Sequence, residues 1–250
     1  MKNKTKIRIT ALALLAFSLA LMLTVSSGIS YLVSNKTREN VFVIGTVGLE
    51  LIENDFPDDK QSRTLAPGDR VSKRPCLKNT GANSEYVFIS VSVPLYEVIT
   101  VNAEHKLNET ERVRREIFNL FCEDTDKQTV TAPQDFSFRD IGLLEYSPRY
   151  ELLLSEEDND GSRHTYYFGY KKILRPSDPS TDSLFDELQL RSLLEGEVPN
   201  DVEATVTVSA YGIQASELPV ELRPADEEAL TRSELTAIFA VLRRQEAEQT

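Results

Sequence analysis

Side chains of the types that carry out chemistry are few in this 250-residue sequence, and their spacing is sparse. The two histidines, His105 and His164, lie far apart, and no His pair flanks a Glu in the manner of a zinc protease. Cys76 and Cys122 are accompanied by no His and Asn arrangement that would make either a nucleophile. In an exported chain such a pair reads either as one disulfide or as two thiols, because a domain this size does not require a bridge. Asp158-Asn159-Asp160-Gly161 opens like a calcium loop, yet Gly169 stands where an EF-hand closes with glutamate. Asn, Asp and Gly also tolerate the dihedrals of a tight turn, so a turn joining two strands is expected there. The P-loop, GxGxxG and GxSxG patterns are missing. No catalytic residue, cofactor or metal ligand is assigned on this basis. Motif content favours a binding or structural protein over an enzyme.

The N-terminus says where such a protein works. Lys2, Lys4, Lys6 and Arg8 form a basic head with no acidic residue, Ile9 to Val25 is almost wholly apolar, and Ser26, Ser27, Gly28 and Ser30 follow. Those are the three parts of a secretory signal, predicted over 1–30. Gly28 and Ser30 suit the small positions of a cut between Ser30 and Tyr31, and a cut before Gly28 suits them nearly as well. The competing reading is an uncleaved anchor, since the apolar run is intermediate between a signal core and a membrane span.

Charge narrows the partners. The whole chain carries 28 basic against 40 acidic residues, and loss of 1–30 leaves 24 against 40, or −16. That balance opposes nucleic acid and anionic membrane, so the membrane is met only through the signal peptide. The sequons at Asn35 and Asn108 would carry no information if the host were bacterial.

The elements that would hold any site are mostly strands. Val87, Ile89, Val91 and Val93 alternate with Tyr86, Phe88, Ser90 and Ser92, the clearest strand in the sequence. Leu49 and Leu51, Tyr166 to Leu174, and Val202 to Ala210 add further strands, and Ala66-Pro67-Gly68-Asp69 and Asn79-Thr80-Gly81 are turns. Leu184 to Leu194 is ambiguous. An irregular insertion over 102–130 is read as containing a short helix, from the spacing of Val113, Ile117, Leu120 and Phe121, although Glu116 to Phe121 also fits a strand. Leu230, Leu235, Ile238, Phe239 and Leu242 predict a C-terminal helix within 224–250, followed by a polar tail. The expected fold is mostly β, an Ig-like antiparallel β-sandwich over 41–223 with that inserted helix and the C-terminal one.

One ordered series of segments carries a resemblance. It runs through Asn40-Val41-Phe42-Val43-Ile44-Gly45-Thr46-Val47, Leu65-Ala66-Pro67-Gly68-Asp69, Pro75-Cys76-Leu77-Lys78-Asn79-Thr80-Gly81 and Glu85-Tyr86-Val87. It continues with Tyr166-Tyr167-Phe168-Gly169-Tyr170-Lys171-Lys172, Thr181-Asp182-Ser183-Leu184-Phe185 and Val208-Ser209-Ala210-Tyr211-Gly212-Ile213-Gln214-Ala215. In this order the series resembles the TasA/camelysin family of Gram-positive exported proteins. The resemblance implies a jelly-roll-like sandwich, cleavage by a SipW-type signal peptidase, and secretion to the cell surface or biofilm matrix. It also implies self-assembly, or assembly with related matrix proteins, into fibres in which the freed N-terminal segment completes a neighbour's sheet. Residues 31–45 would be that extension, with Val41, Phe42, Val43 and Ile44 as the donor strand. The alternative for those four residues is the first strand of their own domain. Two other functions stand beside the fibre subunit. One is a non-polymerising surface binding or accessory protein of the same fold. The other is a camelysin-like metalloendopeptidase, for which the chain offers no ligand set.

Overall fold

Alternation in the sequence becomes two-sided burial in a central strand. In this computed structural model, residues 39–40, 48–54, 65–102, 104, 106–108, 110–130, 142–194 and 204–247 are described. The expected signal segment with its expected cleavage pair Ser30 and Tyr31, the candidate donor residues Val41 to Ile44, and His105 lie outside them. Strand β5 (Glu85–Val98) is the longest, and it is flanked antiparallel by β11 (Arg163–Tyr170) and β13 (Thr207–Gln214). Beyond β11 lies β10 (Tyr150–Glu157), and beyond β13 lies the two-residue β1 (Glu39–Asn40). The far end of β5, Leu95 to Val98, pairs with β6 (Val113–Glu116). This six-stranded sheet shares its core with a second of five strands, ordered β3 (Arg70–Ser72), β12 (Glu187–Leu190), β7 (Phe118–Phe121), β9 (Leu144–Tyr146) and β8 (Gln128–Val130). A two-stranded ribbon joins β2 (Leu49–Asn54) to β4 (Arg74–Asn79). Pairing is antiparallel except between β1 and β13 and between β7 and β9. The fold is thus mostly β, with antiparallel sheets curled into a half-barrel and one α-helix among the described residues.

Both faces of β5 are buried, for different reasons. Val87, Ile89, Val91 and Val93 enter a core shared with Leu77 of β4, Phe118 and Leu120 of β7, and Leu188 and Leu190 of β12. Tyr86 and Phe88 point the other way, against Ile213 of β13 and the apolar stripe Leu235, Ile238, Phe239 and Leu242 of helix α1 (Arg232–Ala247). The helix is therefore the cover of the sheet's outer face, as its sequence spacing predicts. Its start is fixed by a reciprocal cap. The Glu234 carboxylate accepts from the Thr231 N–H at 2.8 Å, and the Thr231 hydroxyl oxygen accepts from the Glu234 N–H at 3.3 Å. The predicted turn at Ala66 to Asp69 is also present. Its Asp69 N–H reaches the Ala66 carbonyl at 2.9 Å, and Gly68 takes the φ of 93° that a side chain would resist.

The helix expected within 102–130 is not formed. Val113 to Glu116 and Phe118 to Phe121 are strands β6 and β7, and Gln128 to Val130 is β8. Period two wins over period 3.6 because the second sheet needs one face of β7: Phe118 and Leu120 are buried while Asn119 and Phe121 are only partly covered. The ambiguous run at Leu184 to Leu194 supplies β12, which bridges β3 and β7.

Candidate functional site

The outer edge of β13 receives a segment from much earlier in the chain. On one side β13 is paired along its length, from Thr207 opposite Ser92 to Gln214 opposite Glu85. On the other side its partner strand among the described residues is β1, parallel to it, with Glu39 opposite Ser209 and Asn40 opposite Ala210. Edges carry rows of backbone donors and acceptors, and an extended segment satisfies them without needing particular side chains. The residues that dock there precede Val41 to Ile44, which lie outside the described residues.

Just after that segment the chain is tied down. The Gly48 carbonyl accepts from the N–H groups of Thr80 at 2.5 Å and Gly81 at 3.0 Å. A side chain at Gly48 would meet the Gly81 Cα at 2.6 Å and the Thr80 carbonyl carbon at 2.7 Å, so only glycine permits this approach. At the other end of β2, Glu53 forms a buried ion pair with Lys73 at 2.6 Å. Residue 48 is therefore a fixed point of the described chain.

A second cluster looks catalytic by residue type. Glu116 at the end of β6 accepts from the Tyr166 hydroxyl at 2.6 Å and lies 2.7 Å from His164 Nδ1, both on β11. Its other oxygen accepts from the Gly142 N–H at 2.8 Å. Burial, and then the Glu116 charge, push the Tyr166 phenol far above its ordinary value. Carboxylate and imidazole are both 0% exposed, so no substrate reaches them. The cluster is a polar pin between β6, β11 and the Gly142 loop. Sequence reasoning noted His164 and passed over Glu116; His164 and Tyr166, two apart on one strand face, were the available signal.

The remaining candidates are accounted for locally. Asp158 to Gly161 forms the β10–β11 turn. The Asp158 carboxylate accepts from the Arg163 N–H at 2.9 Å and the Ser162 hydroxyl at 3.0 Å, as a turn requires. Hydrogen bonds from Ser162 hold the Asp160 carboxyl below its usual value. Cys76 and Cys122 are buried and present as free thiols, the second of the two states open to them. Burial raises both, Cys122 to about 11, which keeps them protonated and unreactive at neutral pH. A cavity of 230 Å³ lies beside Lys172, Arg175, Asp178 and Ser180, but Arg175 is committed to Glu228 at 2.5 Å and Glu227 at 3.4 Å. Among the described residues, no group of three or more His, Cys, Asp or Glu is placed to hold a metal ion, and no helix is long and apolar enough to cross a membrane. Comparison with protein families, with curated proteins and with solved structures finds no match to this chain.

Proposed function

We propose that this chain is an exported structural protein of the surface or biofilm matrix of a Gram-positive bacterium, assembling into fibres by strand complementation. The observation that carries the reading is the parallel docking of β1 on the β13 edge. It pairs the segment ahead of the domain with an edge able to accept an extended strand from any copy of the chain. The firm anchoring at Gly48 supports it too, because a donor segment needs a fixed point from which to reach out. On this reading a SipW-type peptidase cuts between Ser30 and Tyr31, and the two facing sheets form a jelly-roll-like sandwich. The protein has no catalytic role.

Deleting residues 31–40 from the mature protein tests it. The truncated monomer is expected to fold with an unchanged melting profile and to form no fibres by electron microscopy. Wild-type fibres from the truncated protein would refute the reading.

A second reading draws on the same observation. Because β1 lies on β13 of its own chain, the segment can also close its own edge, leaving a monomeric surface binding or accessory protein of this fold. Size-exclusion chromatography of the mature protein that shows a stable monomer at all concentrations would favour it.

A further inference from the structure

We propose that Glu85 is a pH-sensitive latch on strand β2, closing Gly48 onto the Asn79–Glu85 turn when protonated and loosening β2 when ionised. The inference stands independently of fibre assembly. Glu85 is 0% exposed, and its backbone is fixed from both sides, by reciprocal bonds with Leu174 at 3.0 and 2.9 Å and by pairing with Gln214. Its side chain ends where Gly48 and Gly81 touch. A side chain at Gly81 would meet Gly48 N at 3.0 Å, Glu85 Oε1 at 3.2 Å and Asn79 Oδ1 at 3.3 Å, so all three converge on one spot.

Neither carboxylate oxygen makes a hydrogen bond of good geometry there, and the one backbone donor acting on it is the Gly48 N–H. Among the described residues, the surrounding elements offer no charge. Strand β4 presents Asn79, whose amide is committed to the carbonyls of Asn83 at 2.7 Å and Leu174 at 2.9 Å. Strand β13 presents Gln214, whose oxygen takes the Asn83 amide at 3.1 Å. Lys78, next along β4, is exposed, and Arg175, next to Leu174, is bound to Glu227 and Glu228. Burial raises the Glu85 carboxyl to about 7, countered only by the Gly48 backbone N–H. A buried neutral acid is tolerable, whereas a buried carboxylate with one backbone donor and no opposite charge is costly.

The weak point is β2, which pairs with β4 alone among the named strands and whose Leu49 end lies beside Glu85 while its far end is held by the Glu53–Lys73 pair. When Leu49 and Gly48 lift away, Glu85 meets water and regains an ordinary carboxyl near 4.5. The closed form thus keeps a proton that the open form releases. The latch is fully held below about pH 4.5, weakens roughly tenfold per pH unit up to about 7, and levels off above.

Amide hydrogen exchange on the folded mature protein tests this at pH 5 and 7.5, with rates corrected for intrinsic exchange. In the wild type, opening of the Leu49 to Leu51 amides is expected to rise about 50-fold between the two pH values. In Glu85→Gln it should stay constant, and amides of β11 should not change in either protein. An equal rise in both proteins, or none in the wild type, would overturn the proposal. Should the variant fail to fold, carbon-13 NMR of the Glu85 carboxyl in the wild type decides. A titration midpoint near 7 is expected, and one near 4.5 would overturn it.

Discussion

Glu116→Ala is expected to destabilise the domain by about 3–5 kcal/mol, the loss typical of removing one partner from a buried charged cluster. The single carboxylate serves three groups: the Tyr166 hydroxyl, His164 and the Gly142 N–H. Truncation leaves each without its acceptor in a region water does not enter, and each orphaned group costs about 1–3 kcal/mol. Glu116→Gln should lose less, because the amide keeps one acceptor oxygen, yet its NH2 group has no acceptor to meet. Urea unfolding of both variants measures the effect, with an unchanged slope showing that only stability has moved. A loss below about 1 kcal/mol for Glu116→Ala would mean that the loop around Gly142 opens and lets water replace the carboxylate.

Glu85→Gln should have the opposite sign. The folded carboxyl sits near 7 and the ordinary one at 4.5, so folding takes up a proton between those values. Wild-type stability contributed by this group is complete below pH 4.5 and is lost as pH rises through 7. The gap corresponds to about 3 kcal/mol. Glutamine cannot ionise, so relative to wild type the variant gains about that much at pH 8 and little at pH 4. Thermal or urea unfolding at the two pH values reads the difference directly. A variant less stable than wild type at pH 8 would show that the amide cannot be accommodated beside Gly48 and Gly81.

Local patterns in the sequence foretold the local structure. The valine and isoleucine alternation from Val87 to Val93 marks β5, the spacing of Leu235, Ile238, Phe239 and Leu242 marks α1, and the Asp158 and Pro67-Gly68 turns follow from residue chemistry. Between the helix and the strand that the sequence allows at Val113 to Phe121, the strand prevails for a physical reason. Four apolar residues at helical intervals also fit two short strands, and the choice is made by β12, whose Leu188 faces Leu120 from far along the chain. Polar clusters were illegible for the same reason. Nothing near Glu116 in sequence announces His164, and nothing near Glu85 announces Gly48 across the ribbon. The edge that carries the proposed function joins Asn40 to Ala210, a pairing that no window of neighbouring residues contains.

That pairing also gives the most direct test of assembly. Two populations of mature protein, Glu39→Cys and Ser209→Cys, are mixed, allowed to assemble and oxidised. Each carries one member of the opposed pair, so any bond formed between them joins two copies. Cys76 and Cys122 are buried and do not compete. Strand complementation predicts a disulfide-linked dimer between the populations that appears with fibres and is absent from dilute monomer. The result that would contradict it is fibre formation without this cross-link.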